Sequence, residues 1–542
     1  MSMYSAPVVS DANEAVPVAP PLGTRSLHVG LPEWVAAAGL ALAVSVVLTC
    51  VKVVRLNETH ADDALFLQLT QNIAQRGVGL SQLAATILDF FKAVFVASAQ
   101  TIATAPLAPT PLAEFNEFRI HSYYILYPIG MLARIIPRDI LLEVLFVSSF
   151  VGFVLLAYIA ARRRGLSPFV ALTLCCLIVW HPAWADGVEW EFYPDRLFVL
   201  LGFGLMLAAS SSRLHPLVLL TLAVLCASIN ERAAAIGGLF LVAHTVLFWR
   251  AAGRRRAFDI AIGAAMLLYA FAILKWSIQN KGYSGFFPAN TAELLALFNA
   301  AATRHAIELF LLASGALLLL SLFELRATVI ALLLMLPNIL GNYGGAEKLG
   351  WQTHYHDLYL PALAWAALMG LTAAKERFRG QLVSRAVPAL AAGLFAVVFF
   401  SDFRSGMLSA SAYNNAFIHR LPDEVRQYLG PYGTELRADA DRVRSAVPKG
   451  AMISSIEGGM PIIYEDRQVE YYPLGIDRAD YILVARAKMN GQPTITGAVS
   501  ALGPSEIAKI NAVLEKRLRQ DKFDIDHPLV ETVSGLVLIR RR

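Results

Sequence analysis

Glu33-Trp-Val-Ala-Ala-Ala-Gly-Leu-Ala-Leu-Ala-Val-Ser-Val-Val-Leu-Thr-Cys-Val-Lys-Val-Val54 runs straight into Arg55-Leu-Asn-Glu-Thr-His-Ala-Asp-Asp-Ala-Leu-Phe-Leu-Gln68. The first stretch carries a single charge before Lys52 and has the length of a membrane span. The second is where a spanning helix leaves the bilayer. Asp62 and Asp63 therefore sit just beyond a membrane exit, and the rest of the chain is read as building a cavity around them.

Composition agrees with that start. The chain has 542 residues, 56% hydrophobic and 16% charged, with a mean hydropathy of +0.54. An average soluble domain is about one quarter charged. The pattern is that of an integral membrane protein. Its net charge of +5 is small, and no basic cluster with interleaved aromatics supports nucleic-acid binding. Cys50, Cys175, Cys176 and Cys226 all fall inside apolar runs. They read as small core residues rather than disulfides or metal ligands.

Residues 1–32 are rich in Pro, Ala, Val and Ser, without the basic start of a signal peptide. They are expected to be a disordered cytoplasmic tail. Further apolar runs follow at Ile140–Ala161, Pro168–His181, Leu197–Ser210, Pro216–Ile229, Ala233–Trp249, Ala257–Trp276, Ala306–Phe323, Ala327–Leu340, Leu358–Ala374 and Val387–Phe400. With the first, they predict about eleven transmembrane helices in residues 33–402.

Residues 55–138 form a long first outer loop, in which helices lying in the membrane plane are expected. Ile120–Ile136 is assigned to that class and not to the spans. Counting it as a span would put Arg162-Arg163-Arg164 outside. With it excluded, every short inside loop is basic, as the positive-inside rule requires. The N-terminus is then cytoplasmic and the outer loops carry the acidic and histidine-rich stretches.

Beyond Phe400 the sequence turns polar. Residues 413–542 alternate amphipathic stretches (Pro422–Tyr428, Glu435–Val447, Ser505–Lys522) with short β-type runs (Ala451–Ile456, Tyr481–Val484, Leu536–Ile539). They predict a small soluble α/β domain, and an odd number of spans puts it on the extracytoplasmic side.

Five outward stretches carry candidate chemistry. Asp62-Asp63 offers a carboxylate near a membrane cavity, suited to a general base or, equally, to a helix N-cap. His121-Ser-Tyr-Tyr-Ile-Leu-Tyr-Pro128 pairs a histidine with tyrosines of the kind found in interfacial belts. Trp180 to Arg196 alternates carboxylates and aromatics, including Glu189, Glu191, Tyr193 and Asp195. That suits a sugar, with ring faces on aromatics and hydroxyls on carboxylates. It also suits an interfacial loop with tryptophan anchors. Asn230-Glu231-Arg232 lies at a span end, either lining a cavity or snorkelling as a pair. Lys348 to Asp357 places His354 and His356 among aromatics. A zinc site would need a third ligand, which the local spacing lacks. Phosphate contact is the better functional reading there. No cofactor is expected, and a divalent metal has no support in the spacing.

Together these stretches resemble the GT-C superfamily of membrane glycosyltransferases, and most closely a bacterial multi-pass family of unknown function. That family's first loop reads roughly Phe-Asp-x-Gly-x-Phe-x-Gln. Ala61 to Gln68 keeps Asp62, Phe66 and Gln68 but lacks the Phe and Gly. His121 matches the family's histidine. Phe192-Tyr193-Pro194-Asp195 stands for Phe-His-Pro-Glu, Asn230-Glu231-Arg232 for Lys-Glu-Asp, and Tyr355-His356 for a late Tyr-His motif.

The resemblance implies a bacterial inner-membrane enzyme. It would move a sugar from a polyprenyl-phosphate donor to a glycan, lipid or protein acceptor on the outer face. Asp62 is then the base. Asp63, His121, Glu189, Glu191, Tyr193, Asp195, Glu231, Arg232, His354 and His356 would bind substrate or phosphate. A transporter or flippase of a lipid-linked or polar solute is the rival from another class, and an inactive envelope scaffold a third. No internal repeat is visible and the charges cluster at one face, which favours the enzyme.

Overall fold

A computed structural model describes residues 61–85, 115–119, 121–179, 181, 183–184, 192–211, 214–249, 255–277, 290–340, 354–378, 389, 393, 426–427, 429–464, 467–486, 493–494 and 504–542. The expected cytoplasmic tail, the first predicted span, the last one apart from residues 389 and 393, Glu189 and Glu191 lie outside the described residues.

Helix α1 (Ala61–Arg76) begins at the acidic pair. A two-stranded antiparallel ribbon, β1 (Leu80–Ser81) with β2 (Phe115–Asn116), follows it. Helix α2 (Leu126–Leu132) has seven residues. At 1.5 Å per residue it is about 10 Å long, far short of a ~30 Å hydrocarbon core. The stretch Ile120–Ile136 thus holds a short helix instead of a span. Gly130 of α2 lies against Ile73 of α1, where a Cβ would meet that side chain at 2.5 Å.

The apolar helices come next: α3 (Arg138–Arg163), α4 (Pro168–Val179), α5 (Phe198–Ala209), α6 (Pro216–Ile229), α7 (Glu231–Leu247) and α8 (Arg256–Ala272). Helix α9 (Thr291–Asn299) leads into α10 (Ala301–Ser321), α11 (Leu325–Leu340) and α12 (Leu360–Arg377). Nine of the predicted spans coincide with helices of this set. By length and composition, three helical stretches among the described residues can cross a membrane alone: Arg138–Arg163, Arg256–Trp276 and His356–Arg377.

Helix α12 is buried from Leu360 to Ala374. A helix apolar on all sides belongs at the centre of a bundle, and α5, α10 and α11 pack around it. The outer faces expose large apolar side chains, among them Leu217, Leu268 and Phe271. Such a surface suits lipid rather than water. The chain is a helical membrane protein with a small sheet-containing domain. Helices α7 and α8 cross closely, because a Cβ on Gly238 would lie 2.7 Å from the carbonyl oxygen of Gly263. Small residues at such a crossing let backbones approach within the membrane.

Toward the C-terminus, helices alternate with the strands of a small sheet. Helix α13 (Pro431–Ala446) buries Leu436, Ala440 and Val443 on one stripe. Strand β3 (Met452–Ser455) pairs in parallel with β4 (Gln468–Tyr471) and β5 (Tyr481–Arg486). Between β3 and β4 comes the short α14 (Met460–Ile463). Beyond β6 (Pro493–Thr494) and α15 (Pro504–Gln520), β7 (Val530–Glu531) and β8 (Leu536–Arg540) complete the sheet. Its order is β4-β3-β5-β8-β7, with β6 also on β5. The domain seats on the first-loop elements: α14 packs on α1, and Gln82 Nε2 donates to the Val469 carbonyl at 3.1 Å.

Candidate active site

Asn230 organises the candidate site. It separates α6 from α7 as a single extended residue, and its side chain accepts from Ala233 N at 2.7 Å. Asn is favoured at this cap because it satisfies an otherwise orphaned helix donor. The cap puts Glu231 in the first turn of α7, where the helix dipole favours a carboxylate. The Asn230 amide also donates to Asp195 Oδ1.

Glu231 is fully enclosed. Its Oε1 lies 2.9 Å from His121 Nδ1. Its Oε2 accepts from Ser122 N at 3.1 Å and from the Ser122 hydroxyl at 3.2 Å. The loop that carries His121 is pinned to the end of α6, where Ile125 N donates to the Ser228 carbonyl at 2.7 Å. Burial alone would push the Glu231 carboxyl up. The His121 contact and the donors around it outweigh that and hold it at about 2.

Asp195 lies in a one-turn 3-10 helix, Pro194–Leu197, outside the apolar helices. Burial pushes its carboxyl up to about 7. Arg232 and His121 oppose the rise, while Glu231 and Asp357 add to it. The next residue, Arg196, is equally enclosed. Its Nε stands 3.9 Å from Asp357 Oδ2, its guanidinium lies over the Phe146 ring, and neither Asp357 oxygen has a hydrogen-bond partner among the described residues. At that separation the two charges attract without a hydrogen bond. The 3-10 turn His354–Leu358 brings Asp357 to this point, and His356 Nδ1 meets the Tyr359 hydroxyl.

Helix α1 is locked onto the same region. The Phe66 ring packs edge-on against Tyr193, Tyr123 and Phe192, with centroids 5.0, 5.5 and 6.1 Å away. Positions 62 and 66 share one helix face. The start of α1 is thereby held beside the loops of His121 and Asp195.

Four of the five sequence stretches therefore meet through described side chains: His121, Tyr193 with Asp195, Asn230 with Glu231, and His356 with Asp357. For Asp62, Asp63 and His354 the backbone alone is described, in α1 and in the 3-10 turn. The snorkelling alternative for Glu231 does not hold, because its partner is His121 and it is buried. Among the described residues, Asp195, Glu231 and His356 are enclosed, and His121 keeps 17% of its side chain exposed.

Ser122, Arg196 and Tyr359 carry contacts that the sequence reading did not assign. Arg196 followed Asp195 directly, and that adjacency was the available signal. No group of three or more His, Cys, Asp or Glu is arranged to hold a metal among the described residues.

No protein-family model and no curated protein matches the chain. The chain is similar to the crystal structure of ArnT from Cupriavidus metallidurans bound to undecaprenyl phosphate, at 10% identity and a TM-score of 0.44, over 93% of this chain and 98% of that one.

Proposed function

We propose that the protein is a GT-C-type glycosyltransferase of the bacterial inner membrane. It transfers a sugar from a polyprenyl-phosphate donor to a glycan, lipid or protein acceptor at the outer face. It does so with eleven spans, a cytoplasmic N-terminus (residues 1–32) and an extracytoplasmic C-terminal domain (residues 413–542). The observation that carries this reading is the 2.9 Å contact of His121 with Glu231, across 110 residues of sequence. It lies beside the aromatic seat that fixes the start of α1.

In the proposed reaction Asp62 takes the proton of an acceptor hydroxyl. That oxygen bonds to the anomeric carbon, and the bond from this carbon to the phosphate oxygen breaks. The electron pair leaves on the lipid phosphate, a good leaving group that needs no strong acid. His121, oriented by Glu231, and Arg232 hold the phosphate charge as it grows. Electrostatic stabilisation of this kind is commonly the largest catalytic contribution. His354 adds to the phosphate contact. Asp63, Glu189, Glu191 and Tyr193 contact the sugar. Asp195, beside Asn230, and His356, beside Tyr359, complete the substrate- and phosphate-binding set.

The test uses the purified full-length protein in liposomes with a radiolabelled polyprenyl-phosphate sugar and an envelope extract. Release of polyprenyl phosphate with label on an acceptor supports transfer. Label crossing the membrane intact indicates a flippase, and binding without either change indicates a scaffold.

A further inference from the structure

A second polar feature lies away from the His121–Glu231 cluster. A cavity of about 540 Å³ opens between α1, the connection from α2 to α3, and the C-terminal domain. Arg134, Arg138 and Arg444 line it against one carboxylate, Asp139, with Gln71 and Gln75 nearby.

Each arginine is held in place. Arg134 Nε donates to the Ala74 carbonyl and Arg444 Nε to the Ile462 carbonyl, both at 2.8 Å. Arg444 Nη1 is also 3.5 Å from Asp441, which is largely exposed. The Arg138 guanidinium stands 5.5 Å over the Tyr464 ring. A bond through Nε fixes the guanidinium plane while using one of its five donors. Three like charges around one cavity repel one another, and an anion among them relieves that repulsion.

The chain beside the arginines is apolar and uncovered. Ile135 is 84% exposed, Ile140 53% and Val144 57%. Ile140 and Val144 lie one turn apart on the same face of α3, itself able to cross a membrane. In a bilayer that face meets acyl chains, which sets the arginines at headgroup level. Basic side chains there attract anionic lipid.

We infer that this cleft binds the phosphate headgroup of an anionic phospholipid, whose acyl chains lie along Ile140 and Val144. The lipid ties the C-terminal domain, through Arg444, to the platform of α1 and α3, through Arg134 and Arg138. This is independent of sugar transfer.

The experiment titrates phosphatidylglycerol, phosphatidylcholine or inorganic phosphate into delipidated full-length protein in a neutral detergent, following the thermal unfolding temperature. Phosphatidylglycerol is expected to raise it saturably, and the other two are not. Arg134→Gln and Arg444→Gln, made singly and together, are each expected to weaken the phosphatidylglycerol midpoint about fivefold. Each variant's own unfolding temperature without lipid is the baseline from which its midpoint is read. The single variants serve if the double one does not fold. An equal response to phosphatidylcholine, or an unchanged midpoint in the variants, overturns the inference. An equal response to inorganic phosphate overturns the lipid as occupant and leaves a soluble-anion site.

Discussion

His121 Nδ1 lies 2.9 Å from Glu231 Oε1, and the Ser122 backbone and hydroxyl close on the other carboxylate oxygen. A buried carboxylate with three donors fixes the loop that carries His121 and Ser122 and sets the orientation of the imidazole.

Glu231→Gln keeps the shape and removes the charge. It is expected to cost about 1.5–3 kcal/mol, the range for hydrogen bonds to charged groups. Denaturant unfolding in detergent measures it. The wild-type carboxyl is held at about 2, below the ~4.3 of an unfolded glutamate. The stability it confers is complete above pH ~4.3 and lost as pH falls toward 2. The variant should lose less stability over that acid range.

Asp195 has the opposite sign. Its carboxyl is raised to about 7, against ~3.9 when unfolded. The folded state keeps a proton that the unfolded state gives up, so stability is full below pH ~3.9 and declines as pH rises toward 7. Asp195→Asn keeps an acceptor for Asn230 and removes the titration. Unfolding measured between pH 4.5 and 7.5 should be flatter in the variant, by up to about 1.4 kcal/mol per pH unit.

Phe66→Ala empties the aromatic seat between α1 and the loops of Tyr123 and Tyr193. Truncating a buried phenylalanine costs about 3–5 kcal/mol. Transfer activity is expected to fall even at temperatures where the variant stays folded, because the start of α1 is no longer positioned. Activity and unfolding measured on the same preparation separate the two effects.

Gly238→Ala drives a methyl group against the Gly263 carbonyl. Overpacking of this kind costs about 1–3 kcal/mol. Thermal unfolding in detergent should show the loss, whereas Gly315→Ala, with nothing near its Cβ, should show none.

Helix placement was legible where composition decides it. Pro216–Ile229 was predicted to the residue, because Pro starts that helix and Asn230 ends the apolar run. The sheet was partly legible. The apolar runs at β3, β5 and β8 stood out, but Gln468-Val-Glu-Tyr471 did not. That strand buries Val469 and Tyr471, and Glu470 on its other face pairs with Arg478 at 3.1 Å. Pairing within the site was least legible. Glu231 and Arg232 are neighbours in sequence, yet successive residues in a helix point about 100° apart. Glu231 therefore turns to His121, and that choice belongs to the packing of distant elements.

The most direct test of the account is the rate of sugar transfer from a polyprenyl-phosphate donor by the Asp62→Asn protein in liposomes. Loss of transfer with unchanged unfolding temperature and unchanged donor binding is the predicted result. Transfer at the wild-type rate would contradict it.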